Sequence, residues 1–412
     1  MSAMQNFQSL PVGWLQGAMM TASTDTLPAE RPAHWGGVLA MSLCVFALVA
    51  SEFMPISLLT PVARDLGVSE GLAGQGIALS GALAVLTSLA LPVLAGGLNR
   101  KTLLLGMTAL MAISGAVIAF ANGYASYLLG RALIGVAIGG FWSMSAATAM
   151  RLVPAAQVPR ALAVFNGGSA LATIIAAPLG SYLGALVGWR GAFLCLVPVA
   201  LVALVWQGAR LPTLPAAQPA GGRGVLWRLL RRPVVALGLA GCGLFFMGQL
   251  TLFTYLRPFL EGVNHASART LSLTLLAIGL AGFAGTTLIG ALLRRGLFRT
   301  LVAIPLLLAA IALLLVLCAG QLALVVPLLG LWGLAATAAP VGWWAWVART
   351  LPEEAEAGGG LMVAVIQLSI ALGSTAGGVL FDVGGYASTF IASALLLLLA
   401  ALMTAYAARR AA

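Results

Sequence analysis

Twelve apolar runs, each close to or above the length needed to cross a bilayer, fill most of this 412-residue chain. They lie at roughly 36–59, 74–98, 102–121, 124–149, 161–187, 191–209, 234–258, 270–293, 300–319, 322–348, 359–381 and 385–407. About 20 apolar residues in a helix reach across the hydrocarbon core. Lipid offers no partner for backbone N–H and C=O groups, so a spanning segment must be a helix or part of a closed barrel. The runs are too long for barrel strands and lack sustained alternation of period two. The expected fold is an all-α membrane protein with twelve transmembrane helices. Composition agrees: 8% of residues are charged, against about 25% in soluble domains.

The formal net charge of +11 would suggest nucleic acid in a soluble protein. Here its placement gives another reading. With the N-terminus inside, sixteen of the 21 Lys and Arg residues fall on the inner side. Arg64, Arg190, Arg257 and Arg269 fall outside, and Arg131 lies within a span. That asymmetry places both ends in the cytoplasm. The basic loops then meet anionic lipid headgroups, and no nucleic-acid partner is expected. Residues 1–35 lack the basic start, apolar core and cleavage site of a signal peptide, and read as a cytoplasmic tail.

The longest polar break after that tail is residues 211–233, rich in Pro, Gly and Arg, which reads as a cytoplasmic linker. It separates residues 36–210 from 234–408, six spans each, with 409–412 as a C-terminal tail. The halves echo one another. Glu52 precedes Pro61 by nine residues, and Gln249 precedes Pro258 by nine. GFW at 140–142 answers GWW at 342–344, and Asn166 answers Gln367. Two pseudo-symmetric six-helix bundles with a site between them near the midplane are expected.

Several chemistries are excluded. Cys44, Cys195, Cys242 and Cys318 are scattered, and only two histidines exist, so neither a disulfide framework nor a metal site is expected. GGLNRKT at 96–102 lacks the glycine that a phosphate-binding loop places before its lysine. No H-E-x-x-H, G-x-S-x-G or paired intramembrane carboxylates occur, so no enzyme and no cofactor are expected. Uphill movement of a solute would need an ion gradient or a partner protein.

Glu52 is the one acid deep in a span. It lies about 12 Å below the outer end of span one, and Arg131 about 10 Å deep in span four, at 1.5 Å per residue. An unpaired charge at the bilayer centre costs a few kcal/mol on insertion scales, so the two are expected to approach each other or share a water. Burial and a nearby cation act on such a carboxylate in opposite senses. Glu52 with Arg131 is therefore read as a proton-coupling pair. A static ion pair and direct substrate contact remain alternatives.

Candidate substrate residues are polar or aromatic and sit at helical spacing. Asn166, Ser169 and Thr173 share a face of span five; Gln367 and Ser374 do so on span eleven. A polar stripe in a membrane helix faces a cavity or another helix. Phe246, Gln249 and Phe253 share a face of span seven, Trp142 lies on the Arg131 side of span four, and Trp344 is in a tryptophan-rich span ten. Flat rings to stack on and amides to read an edge suit a nucleobase. The same residues also suit plain packing and interhelical hydrogen bonding.

EFMPISLLTPVARDLGVS (52–69), GGLNRKTLLLG (96–106), GRALIGVAIGGFW (130–142) and APLGSYLGALVGWR (177–190) follow one another in the order of the major facilitator superfamily. Within it the chain resembles the twelve-helix drug/proton antiporters, and among these the bacterial purine ribonucleoside efflux permeases, through stretches such as GGFWSMSA (139–146), FTYLRP (253–258) and PVGWWAWVAR (340–349). The resemblance implies a monomer in a bacterial inner membrane that exports inosine or guanosine in exchange for protons. Drug or sugar export and uncoupled facilitation are the alternatives. It also implies a conformational motif in Asn99, Arg100 and Lys101, where the superfamily usually has Asp at the Asn99 position, and a kinked, close-packed helix at Pro178 and Gly180.

Overall fold

The computed structural model describes residues 33–94, 97–154, 157–215, 225–352 and 354–411. The expected tail at 1–35 lies outside this set up to residue 32, as does the middle of the linker, 216–224. The helices are α1 (Trp35–Ser57), α2 (Leu59–Leu66), α3 (Glu70–Leu94), α4 (Arg100–Ala119), α5 (Tyr124–Arg151), α6 (Val158–Arg210), α7 (Val225–Leu230), α8 (Pro233–Phe253), α9 (Leu256–Gly262), α10 (Ala268–Arg295), α11 (Leu297–Leu317), α12 (Leu322–Thr350) and α13 (Ala355–Ala411).

Among the described residues, ten helical segments are long and apolar enough to cross a membrane. Two of them, α6 and α13, exceed 50 residues. Each turns back on itself at one glycine with positive φ, Gly188 at 73° and Gly385 at 68°. L side chains rarely adopt that conformation, so glycine makes these turns. With eight single crossings and two hairpins the chain makes the twelve passes expected. Two parts of the sequence reading differ in detail. Residues 225–230 of the linker form a short helix, and α13 runs through Arg409 and Arg410 to Ala411, so the expected C-terminal tail is the helix's last turns.

The two turns stand 197 residues apart, the same offset that separates Pro61 from Pro258. Span one breaks at Leu58 before α2, and span seven breaks at Thr254 and Tyr255 before α9. Pro61 and Pro258 each sit in the first turn of the short helix that follows, where a missing N–H costs nothing. Each half has its own core. One cluster runs from Val38 to Leu214, joined from the other half by Tyr255, with Phe381 packed against it. The second runs from Leu229 to Ala400 and takes in Ala177 from the first. A third, small cluster joins them: Ile56 and Ile77 from the first bundle, Leu250 and Ile370 from the second, with Phe53, Phe253 and Ile366 against it.

The bundles meet along α3 against α13 and α6 against α10. Close approach is sequence-encoded. A methyl group on Gly74 would collide with the Tyr255 hydroxyl, and one on Gly81 would stand 2.9 Å from the Gln367 carbonyl oxygen. Among the described residues, every hydrogen bond between the bundles lies at the end away from the arginine-rich loops or at the depth of Glu52.

Candidate substrate and coupling site

α1 carries Glu52 six residues before its break at Leu58. The side chain is buried, 8% exposed, and faces the join between the bundles. Its partner comes from the other bundle: Gln367 Nε2 on α13 donates to Glu52 Oε1 at 3.3 Å. The backbone of Gln367 rests on Gly81, and Ile366 beside it packs on the joining cluster.

Arg131 is fully buried. Its Nη1 donates to the carbonyl of Ser51 at 2.9 Å, its Nε to the carbonyl of Gly76 at 3.1 Å, and its Nη2 to Ser80 Oγ at 2.9 Å. The expected direct approach of the two charges gives way to a contact through the backbone. The guanidinium binds the carbonyl of the residue before Glu52, and no ion pair within 4 Å joins them among the described residues. Arginine has five N–H donors in a fixed fork; two carbonyls and a hydroxyl from α1 and α3 take one donor on each of its three nitrogens, without a carboxylate. The cation knits spans one, two and four together beside Glu52.

The other predicted residues divide. Phe253 lines the apolar cluster at the join, and Gln249 is half-buried with its Oε1 unpartnered. Phe246 is buried edge-on to Phe245, centroids 5.3 Å apart. Trp142 packs edge-on to Phe141 and Phe165 within the first bundle. Asn166 is exposed and its amide donates to its own helix at Leu162, 2.9 Å away, so it does not meet Gln367. Trp344 is 47% exposed, whereas Trp343 and Trp346 are buried against each other.

Asn99 caps α4. Its Oδ1 accepts from the N–H of Lys101 at 2.9 Å and from the N–H of Leu214 at 3.2 Å, while Arg100 N donates to the Leu214 carbonyl. The start of the linker is therefore bound to the first bundle. Pro178 lies inside α6, and Gly180 sits where a methyl group would be 2.6 Å from Ser57 Oγ of α1.

Sequence reading missed the residues that close the far end. Ser69 Oγ donates to Asp382 Oδ2 at 2.5 Å, and Gly71 N to Asp382 Oδ1 at 3.0 Å. Thr375 Oγ1 bonds Gln75 Oε1 at 3.2 Å. Arg257, held by Glu261 at 2.7 Å, reaches the Ser57 carbonyl of the first bundle. Small residues on α3 and α13 were the available signal.

A sequence model described as Major Facilitator Superfamily matches residues 39–359. The chain belongs to the major facilitator superfamily. It is a multi-pass membrane transporter rather than an enzyme. As a facilitator it is 64% identical over 396 residues to the transcription regulatory protein OpdE of Pseudomonas aeruginosa, covering 95% of this chain and 98% of that one. It is 40% identical over 375 residues to the purine ribonucleoside efflux pump NepI of Salmonella enteritidis, covering 91% and 94%. Among solved structures, a POT family transporter bound to a thioalcohol-conjugated peptide superposes with TM-score 0.72 at 14% identity, covering 91% of this chain and 96% of that one. A bacterial homologue of the lysosomal transporter Spinster, inward-facing and unoccupied, superposes with TM-score 0.71 at 16% identity, covering 92% and 98%. At these identities the two structures speak for the facilitator fold alone.

Proposed function

We propose that this facilitator exports purine ribonucleosides such as inosine and guanosine in exchange for protons, by alternating access. The observation that carries the reading is Glu52: a buried acid at the join of two bundles, whose hydrogen-bond partner belongs to the opposite bundle. A group so placed meets one side of the membrane in one state and the other side in the next. The substrate class comes from the 40% identity to a purine ribonucleoside efflux pump. Gln249 and Gln367 supply buried acceptors without partners near the join, which suit a solute rich in N–H and O–H donors.

We place residues 36–210 and 234–408 as the two moving bodies in a bacterial inner membrane, with the arginine-rich loops and both termini in the cytoplasm and a single chain as the working unit. The arrangement described is then closed outside and faces inward. In the cycle, Glu52 takes a proton from water outside, the bundles rock, and the proton leaves to cytoplasmic water as substrate binds. The reverse swing releases substrate outside. Export of this kind also accommodates the name of the 64% relative: removing a solute that controls a promoter alters expression without contact with DNA.

The test uses purified protein in liposomes with radiolabelled inosine and an imposed pH gradient. Gradient-driven accumulation lost in Glu52→Gln, with inosine binding kept, is expected. Inosine movement indifferent to the gradient would remove the proton mechanism. No inosine movement would remove the substrate, and a panel of drugs and sugars would follow.

A further inference from the structure

Among the described residues, the one polar contact that crosses between the bundles at the depth of Glu52 leaves half of an amide unused. Gln367 Nε2 donates to Glu52, while Gln367 Oε1 is buried with no hydrogen-bond partner. A buried acceptor without a partner is destabilising and calls for an explanation. The side chain has little freedom to escape, because its backbone lies on Gly81 and its neighbours Ile366 and Ile370 belong to the apolar cluster at the join.

A carboxyl group has two hydrogen-bonding forms. Ionised, it only accepts; protonated, it also donates an O–H. An amide matches both, its NH2 facing the carboxylate and its oxygen facing the carboxylic acid, exchanged by a half-turn of the terminal torsion. The idle oxygen of Gln367 can accept from Glu52 only when Glu52 carries a proton. The two pairings differ in strength, since a charge-assisted hydrogen bond is about twice as strong as a neutral one.

We propose that Gln367 is the positioning residue that couples Glu52's proton to bundle movement: its amide holds the empty, ionised carrier closed outside, and a proton or a substrate donor on Glu52 releases it. This rests on the reading of Glu52 as the proton carrier. The hold forbids the return of an empty, ionised carrier, the step through which protons and solute would slip past each other. The charged group facing Glu52 is Arg131 on α5, with Tyr127 one turn along that helix. From the second bundle the nearest charges stand at the outer end, Arg257 tied to Glu261 and Asp382 tied to Ser69 and Gly71. The switch is therefore between Glu52 and an uncharged amide.

The experiment compares wild type, Gln367→Met, Gln367→Asn and Glu52→Gln in liposomes. Met fills similar volume without hydrogen bonds; Asn keeps the amide one methylene short, so failure of one to fold leaves the other. Three readouts are taken: inosine exchange at equal pH, inosine accumulation against a pH gradient, and substrate-free proton leak by an internal dye. Loss of a hydrogen bond to a charged group shifts an equilibrium roughly tenfold or more. Both Gln367 variants are expected to keep exchange, lose accumulation by that factor and leak protons. Accumulation as in wild type would overturn the proposal alone. A raised KM for exchange with accumulation reduced in proportion and no leak would make Gln367 a substrate contact and also overturn it. Accumulation retained by Glu52→Gln would overturn the proton reading and the proposal together. The leak readout needs no substrate and holds whichever solute the carrier moves.

Discussion

The carboxylate of Asp382 accepts from the backbone N–H of Gly71 at 3.0 Å, so an acid of the second bundle caps the first turn of a helix in the other. An anion is favoured there by the unpaired N–H groups and the helix dipole. The contact exists only while that end of the transporter is closed.

Asp382→Ala should therefore open that end. Loss of a capping side chain costs about 0.5–2 kcal/mol, or roughly twofold to thirtyfold in the closed-to-open ratio. Maleimide labelling of Ile370→Cys, a member of the joining cluster, should speed up by that factor when Asp382→Ala is added. An unchanged rate would place the seal in the Arg257 and Thr375 contacts instead.

Two glycines should fail in different ways. A side chain at Gly74 meets Tyr255 of the opposite bundle, whereas one at Gly139 meets the Ala84 carbonyl within its own bundle. Gly74→Val should fold with a near-native Tm, stay open at the far end and lose transport. Gly139→Val should lose about 1–3 kcal/mol of stability, since overpacking within a core costs that much. Thermal unfolding in detergent beside transport assays separates the two; equal loss of stability would remove the distinction.

Arg131→Met should be structurally costly. It strips a donor from Ser51, Gly76 and Ser80 at once; the Ser51 carbonyl, four residues before Pro55, is left with none, and a buried acceptor left unpaired costs about 1–3 kcal/mol. Ser80→Ala removes one of the three contacts and should cost about 1 kcal/mol. A Met variant as stable as wild type but inactive would shift Arg131 from scaffold to chemistry.

The twelve passes and Glu52 were legible in the sequence because lipid leaves a chain few options, and a carboxylate in an apolar run stands out. Asn166 shows the limit of pattern: its stripe is real, yet its amide turns back to Leu162. Arg131 lies at the expected depth but binds the Ser51 carbonyl instead of pairing directly with Glu52; the sequence does carry a signal for this, because Pro55, four residues on, has no N–H for that carbonyl. The tryptophans of α12 divide by helical face. Positions 343 and 346 share a helical face and 344 does not, and the two that share it are the buried pair. Gln367 was named as an amide near the site. That it reaches Glu52 depends on the packing of α3 on α13, which no single helix reveals.

The single-glycine turns at Gly188 and Gly385 bear on how the protein is made. Spans five and six, and eleven and twelve, are joined by almost no polar chain, so neither helix of a pair can settle in the bilayer and wait for the other. Each pair must leave the translocon as one hairpin. Arg190, two residues past the turn of the first hairpin, binds Asp65 and the Ala121 carbonyl. The earlier spans are thus in place to receive it, and the order of synthesis becomes the order of assembly.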